Sequence, residues 1–396
     1  MIIISGIQPG NSGVGRVISF LVDEAKRDPV SKVRFIFGLA GGPSIKQLVL
    51  NGRLNFAFKT AWIRINRKHR LNQALSNREI LDNKNVILVH PQTLGFNWCL
   101  QFIKLRAQPT WIYVMDSSFF CIRSYNHLTG ETEACTHCLG REYKNATVYD
   151  CKPFPSNDPN AMNFIKALPS LVKEGKVNFL VQNKKQGELV RTQFGDQATI
   201  KLIGLWAKDW DVTSITGNTI NEESSTDQIY DVVYHGTPLG AKGVDWAIEL
   251  ARKCPEWKFL FPFNKSAIQS IHGENLPPNC KFQAMTWESG LEAAITQATV
   301  TLVPSLWSAP IEGAFVKSLM LGKAVGIVDN ASGYASEVPP SLLLVLPQNV
   351  DQAAEGLKSA LVARWRPDPD LLSKWIRTFT DVNRRLLDNM LTLSNE

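Results

Sequence analysis

Short runs of β-branched and aromatic residues alternate with stretches of helical periodicity along this chain, and they do so in two series. The first opens with MIIISGI, RVISFLVDEA and KVRFIFGL and continues through NVILVH (85–90), TWIYVMD (110–116), VNFLVQ (177–182) and ATIKLIG (198–204). This is the strand–helix–strand rhythm of a parallel sheet. Residues 213–228 are polar and lack apolar periodicity, as a linker would. The rhythm then restarts with DVVYHG (231–236), the amphipathic VDWAIELARKC (244–254), WKFLFPF (257–263) and the buried-looking ATVTLVPS (298–305). Two Rossmann-like units in tandem, an α/β fold, account for this most simply. The expected organisation is a first domain over 1–210, a linker over 211–229, a second domain over 230–370 and a C-terminal helix over 371–396. That helix begins where Pro369 and Asp370 suit a helix start.

A chain of 396 residues, 44% apolar and 20% charged, is too long for one ordinary core and is globular in composition. No stretch reaches the roughly 18 uninterrupted apolar residues of a membrane span, and the opening MIIISGIQPGNSG turns glycine-rich before a signal sequence could form. A cytoplasmic protein is expected, with a peripheral contact to the inner face of a membrane as one use of its charge. Residues 1–210 hold 28 Lys and Arg against 15 Asp and Glu, and the remainder holds 15 against 21. A half carrying +13 suits nucleic acid, an anionic membrane or an acidic small substrate, and charge alone does not choose. Its densest run is Lys59, Arg64, Arg67, Lys68, His69 and Arg70, interleaved with Trp62, Ile63 and Ile65. Either a solvated helix face or an interfacial contact explains it.

Two glycine-containing loops follow first strands. Gly10-Asn11-Ser12-Gly13-Val14-Gly15-Arg16 opens a helix whose N–H groups would suit an anion, although a tight turn needing glycine explains Gly13 and Gly15 about as well. The second unit has Gly236-Thr237-Pro238-Leu239-Gly240-Ala241-Lys242-Gly243-Val244-Asp245 in the matching place. An ammonium at a helix N-terminus opposes the dipole, so a bound anion explains Lys242 better than stability does.

Asp116 ends its strand where an open α/β sheet places ligand contacts; it would bind an acceptor hydroxyl or cap the next segment. His90 makes a similar claim against the reading of a satisfied buried histidine. Cys121, Cys135, Cys138 and Cys151 could staple a loop around a structural zinc, or remain thiols.

The run Gly236 to Asp245 resembles the G-R-x-x-x-x-K-G-x-D segment of family 4 retaining glycosyltransferases, with Gly236, Lys242, Gly243 and Asp245 in register. Val303-Pro304-Ser305-Leu306-Trp307-Ser308-Ala309-Pro310 and Leu321-Gly322-Lys323-Ala324-Val325 resemble that family's P-S-x-x-E-x-F-G and C-G-x-P-V segments. The segment from Asn178 to Trp206 looks like the one joining its two domains. The resemblance implies a GT-B fold with two Rossmann-like domains facing a cleft and a C-terminal helix packing back across. It also implies a UDP- or GDP-sugar donor on the second domain and a glycan or lipid-linked acceptor on the first, as in cell-surface polysaccharide synthesis. Retention of configuration, no catalytic metal and no nucleic-acid partner go with it. By carry-over Lys242 holds the diphosphate, with Gly236, Thr237, Gly243 and Ser305 around the donor and Gly13, Gly15 and Arg16 facing it. The sequence departs from the pattern at four places. Thr237 replaces an arginine, Met115 a histidine, and the paired glutamates fall on Ala309 and Lys317, with Glu312 between. Asp116, Glu312 and Lys317 are therefore the candidate catalytic residues, Lys317 being suited to a phosphate or a carboxylated sugar. A noncatalytic sugar or nucleotide-sugar binding protein, or a partner subunit, is the alternative.

Overall fold

The computed structural model describes the chain apart from residues 29, 31, 39–44, 155–157, 211–229, 270–272, 274, 331–333 and 396; the expected linker lies outside the described residues. Twelve described strands form two six-stranded sheets, with orders β2-β1-β3-β4-β5-β6 and β12-β11-β10-β7-β8-β9, and every pairing is parallel.

The first sheet comprises β1 (Ile2–Ser5), β2 (Arg34–Phe37), β3 (Val86–Val89), β4 (Thr110–Tyr113), β5 (Val177–Val181) and β6 (Ile200–Leu202). Its inner strands are buried along almost their whole length, as strands covered on both faces must be. Outer strands carry charge instead, with Arg34 on β2 and Lys201 on β6, which discourages pairing with another chain. One apolar core joins this sheet to helices through Phe96, Phe102, Phe164 and Phe194.

The second sheet comprises β7 (Val232–Tyr234), β8 (Phe259–Phe261), β9 (Cys280–Phe282), β10 (Val300–Leu302), β11 (Ala324–Val328) and β12 (Leu344–Leu346). Its central strands are fully buried, and Lys281 sits on the outer β9. Two clusters form its core, one around Phe259, Phe261 and Leu302 and one around Val233, Leu260 and Ile295.

Contacts divide the chain into two compact units that are not contiguous in sequence. One contains residues 1–124, 137–209 and 382–396, the other residues 125–136 and 210–381. The C-terminal region forms helices Pro369–Asn383 and Leu386–Leu391. Its end belongs to the first unit, where Asn383 accepts from the Leu205 amide at 3.0 Å and Asn389 donates to the Ile203 carbonyl at 3.1 Å.

Candidate functional site

In each sheet the order reverses at one place, and ligands of open α/β sheets gather at the carboxyl ends of the strands flanking such a reversal. In the second unit it lies between β7 and β10. The loops leaving those strands are locked together: Leu306 N–H donates to the Ala241 carbonyl at 2.9 Å, and Gly243, at φ 74°, lies so close that a Cβ would overlap the Pro304 carbonyl oxygen. Only glycine satisfies both the left-handed backbone and this approach. Gly236 is also sterically required, since its Cβ would fall 2.6 Å from the Tyr234 hydroxyl, whose single proton is shared between the carbonyls of Thr237 and Lys242 at 2.8 and 3.0 Å. Thr237 is exposed on this turn.

The clamp brings Lys242 to Glu312. Oε1 of Glu312 accepts from Lys242 Nζ, from Ser305 Oγ at 2.8 Å and from Trp307 Nε1 at 3.0 Å. Lys242 Nζ also lies 4.8 Å from the Trp307 ring centroid and 5.4 Å from that of Tyr125, and the two rings meet edge to face. With 16% and 10% of their side chains exposed, both charges are largely withdrawn from water, so their attraction is weakly screened. The ammonium is thereby fixed in one place before any ligand arrives.

Glu312 immediately precedes the helix Gly313–Met320. Lys317, near its end, is buried with Nζ 4.1 Å from the Trp287 ring centroid. His235 stacks on the same indole, and its Nδ1 lies 2.9 Å from Ser318 Oγ. Ser318 gives its single proton to the Ala314 carbonyl at 2.9 Å, so the imidazole is the donor in that pair.

In the first unit the reversal falls between β1 and β3. Ser12 caps the helix Gly13–Arg27 by accepting from the Gly15 amide at 3.1 Å. A Cβ on Gly15 would meet Ser12 Oγ at 2.7 Å, whereas one on Gly13 would meet nothing within 4 Å. Arg16 bonds the Asn11 carbonyl at 3.0 Å and pairs with Asp209. Asp116 accepts from the Ser118 amide at 2.9 Å and from the Gln92 amide, the arrangement of a cap. His90, at φ 58°, lies 2.7 Å from Thr93 Oγ1; burial depresses its pKa, and the Asp116 carboxylate partly offsets that.

The expected zinc staple finds no support among the described residues. Cys121 and Cys138 are buried in the apolar core of the first unit and Cys151 packs against it, while Cys135 belongs to the second unit. No group of three or more His, Cys, Asp or Glu among the described residues is placed to hold a metal ion. Cys121 and Cys138 pack in that core as small side chains, and Asn126 ties residues of the loop together. Asn126 accepts the Cys135 amide on its own carbonyl at 2.8 Å, and its side chain bonds the Cys135 carbonyl and Ser308 Oγ, both at 2.9 Å. Tyr125, Asn126 and Trp307 are site residues that sequence reasoning did not single out. The only available signal was the adjacency of Trp307 to the Pro304-Ser305 segment.

No family model matches the chain, and no curated protein matches it in sequence. Solved structures do share its fold. HepE from Anabaena, in complex with UDP and glucose, matches with a TM-score of 0.57 at 10% identity, over 100% of this chain and 98% of that one. Sucrose-phosphate synthase from Thermosynechococcus elongatus matches at 0.56 and 12% identity, over 98% and 94%. TarM from S. aureus matches at 0.52 and 13% identity; 83% of this chain is covered, and it spans 58% of TarM. The chain has the two-Rossmann-domain fold of the GT-B glycosyltransferases.

Proposed function

We propose that this chain transfers a sugar from a UDP- or GDP-linked donor to a glycan or lipid-linked acceptor, with retention of anomeric configuration. The observation that carries the reading is Lys242, an ammonium held at the strand-order reversal of the second sheet by Glu312, Trp307 and Tyr125. A donor diphosphate offers that ammonium a second anionic partner. As the glycosyl bond breaks, negative charge grows on the departing phosphate, and a cation already in position stabilises it without reorganising. Ser305 and Glu312 position the lysine; Gly236 and Gly243 let backbone approach the ligand. The first unit takes the acceptor in this reading, with Asp116 and the Gly13 to Arg16 turn as its candidate contacts. A lipid-linked acceptor would bring the chain to the inner face of a membrane.

A second reading, a noncatalytic nucleotide-sugar binding protein, is favoured by one observation: the buried Lys317 stands where the resembling family has a carboxylate. Calorimetry with UDP, GDP and their sugars, followed by transfer assays over an acceptor panel, separates the two. Nucleoside diphosphate binding should weaken about 10- to 100-fold in Lys242→Ala, the loss of one charge-assisted bond. Unchanged affinity in that variant, or no nucleotide binding by the wild type, overturns both readings; binding without transfer selects the second.

A further inference from the structure

Residues 29–78 contain ten Lys and Arg and no Asp or Glu. The helix Leu54–Ala74 dominates this stretch, and one face of it is fixed to the first unit: Ala57, Leu71 and Ala74 are buried, the Trp98 indole donates to the Leu71 carbonyl at 3.2 Å, and Arg67 donates to Gln8 at 2.7 Å. Over the first three turns the opposite face is apolar and exposed among the described residues. Leu54, Phe58, Trp62 and Ile65 recur at helical spacing of four, four and three, so they align in one stripe about 16 Å long. They are 55%, 77%, 66% and 66% exposed. Helical periodicity puts Lys59 and Arg70 on one flank of the stripe and Lys68 on the other. Seven of the seventeen large apolar side chains exposed among the described residues fall between Val49 and Ile65, so the exposure is concentrated here.

A helix serving stability alone gains from an acid in its first turn, and this one has none. We infer that this face docks on an anionic lipid bilayer, with Phe58, Trp62 and Ile65 entering the headgroup boundary and the flanking cations meeting lipid phosphates. Aromatic and branched side chains along the centre with lysines and arginines at the sides suit that boundary, because the long cationic side chains reach back to the headgroups. A second copy of the same face is disfavoured, since a symmetric contact would bring two acid-free basic surfaces together. A nucleic-acid groove would put the cations, rather than the apolar stripe, at the centre. The inference stands on this surface and does not depend on the transfer reaction.

The test is flotation of the full chain with vesicles of phosphatidylcholine alone and of phosphatidylcholine with 30% phosphatidylglycerol. Partitioning should be at least about tenfold stronger on the anionic vesicles and should fall with added salt. In Lys59→Glu/Lys68→Glu/Arg70→Glu it should drop by roughly fivefold or more per charge, and Phe58→Ser/Trp62→Ser/Ile65→Ser should lose at least tenfold even at low salt. Circular dichroism and nucleoside diphosphate affinity should be unchanged in both, which keeps this result separate from the fate of the donor site. Equal partitioning on the two vesicle types, wild-type partitioning by the apolar variant, or an oligomer or nucleic-acid complex that this variant dissolves, would overturn the inference.

Discussion

The two sheets share an all-parallel sense and a single reversal of order, yet the loops at those reversals are built differently. In the first unit, backbone closes the place: Gly6 packs so tightly on the next loop that a Cβ would lie 2.6 Å from the His90 carbonyl oxygen, and the charged groups nearby are partnered within that unit, Arg16 with Asp209 and Asp116 with Ser118 and Gln92. In the second, the loops converge on a lysine and a glutamate shielded from water. The half that carries +13 exposes Lys59, Lys68 and Arg70 on one helix, while the half that carries −6 shelters the ammonium. Net charge per domain therefore reports on surfaces, and a site must be found from topology and burial.

The largest effect should come from the clamp. Gly243→Ala forces both a left-handed backbone and an overlap with the Pro304 carbonyl, so urea denaturation should show a loss of about 3 kcal/mol or more. Gly13→Ala in the first unit meets open space and should change stability by less than about 0.5 kcal/mol. Equal losses in the two would erase the contrast between the two reversals.

An intermediate effect is expected at Lys317. Lys317→Glu replaces a buried cation over the Trp287 face with a carboxylate against the ring's negative face, so donor affinity should fall about tenfold, with a stability loss of about 2 kcal/mol. A gain in transfer would instead mark the lysine as the residue of a decayed site, and a response in neither binding nor transfer would place it outside the site altogether.

The smallest effect concerns His90. Its folded pKa lies below its unfolded value, so as pH falls through about 6.5 the unfolded chain takes up a proton that the folded one refuses, and stability is lost toward acid. His90→Asn, which tolerates the positive φ, should flatten that slope between pH 7 and 5 in thermal unfolding. An unaltered slope would show that burial at this strand end carries no linkage to folding.

The α/β class and the two-sheet organisation are legible in the sequence because fully buried parallel strands are written as apolar runs such as IIIS and VILV. Strand β9 is not, being three residues with an exposed lysine in the middle. Lys242 is legible through its place after the first strand of the second series, and Glu312 through its place in the Val303 to Val325 region. Their pairing is not, since 70 residues separate them and only the clamp at Gly243 and Pro304 brings them together. The cysteine spacing is not enough for a related reason: spacing counts candidate ligands, while two of these thiols lie in an apolar core. Trp287 and His235, which set the surroundings of Lys317, come from different strand-to-helix connections and share no local pattern.

That residues 382–396 belong to the first unit has a consequence for how the protein is made. Chains generally fold by domains as they leave the ribosome, amino-terminal part first. Here the opening half emerges without Asn383 and Asn389, the side chains that bond the amide of Leu205 and the carbonyl of Ile203. The first unit is therefore completed only once residues 382–396 have been made. A message truncated between residues 210 and 382 therefore yields an unfinished first unit as well as an unfinished second.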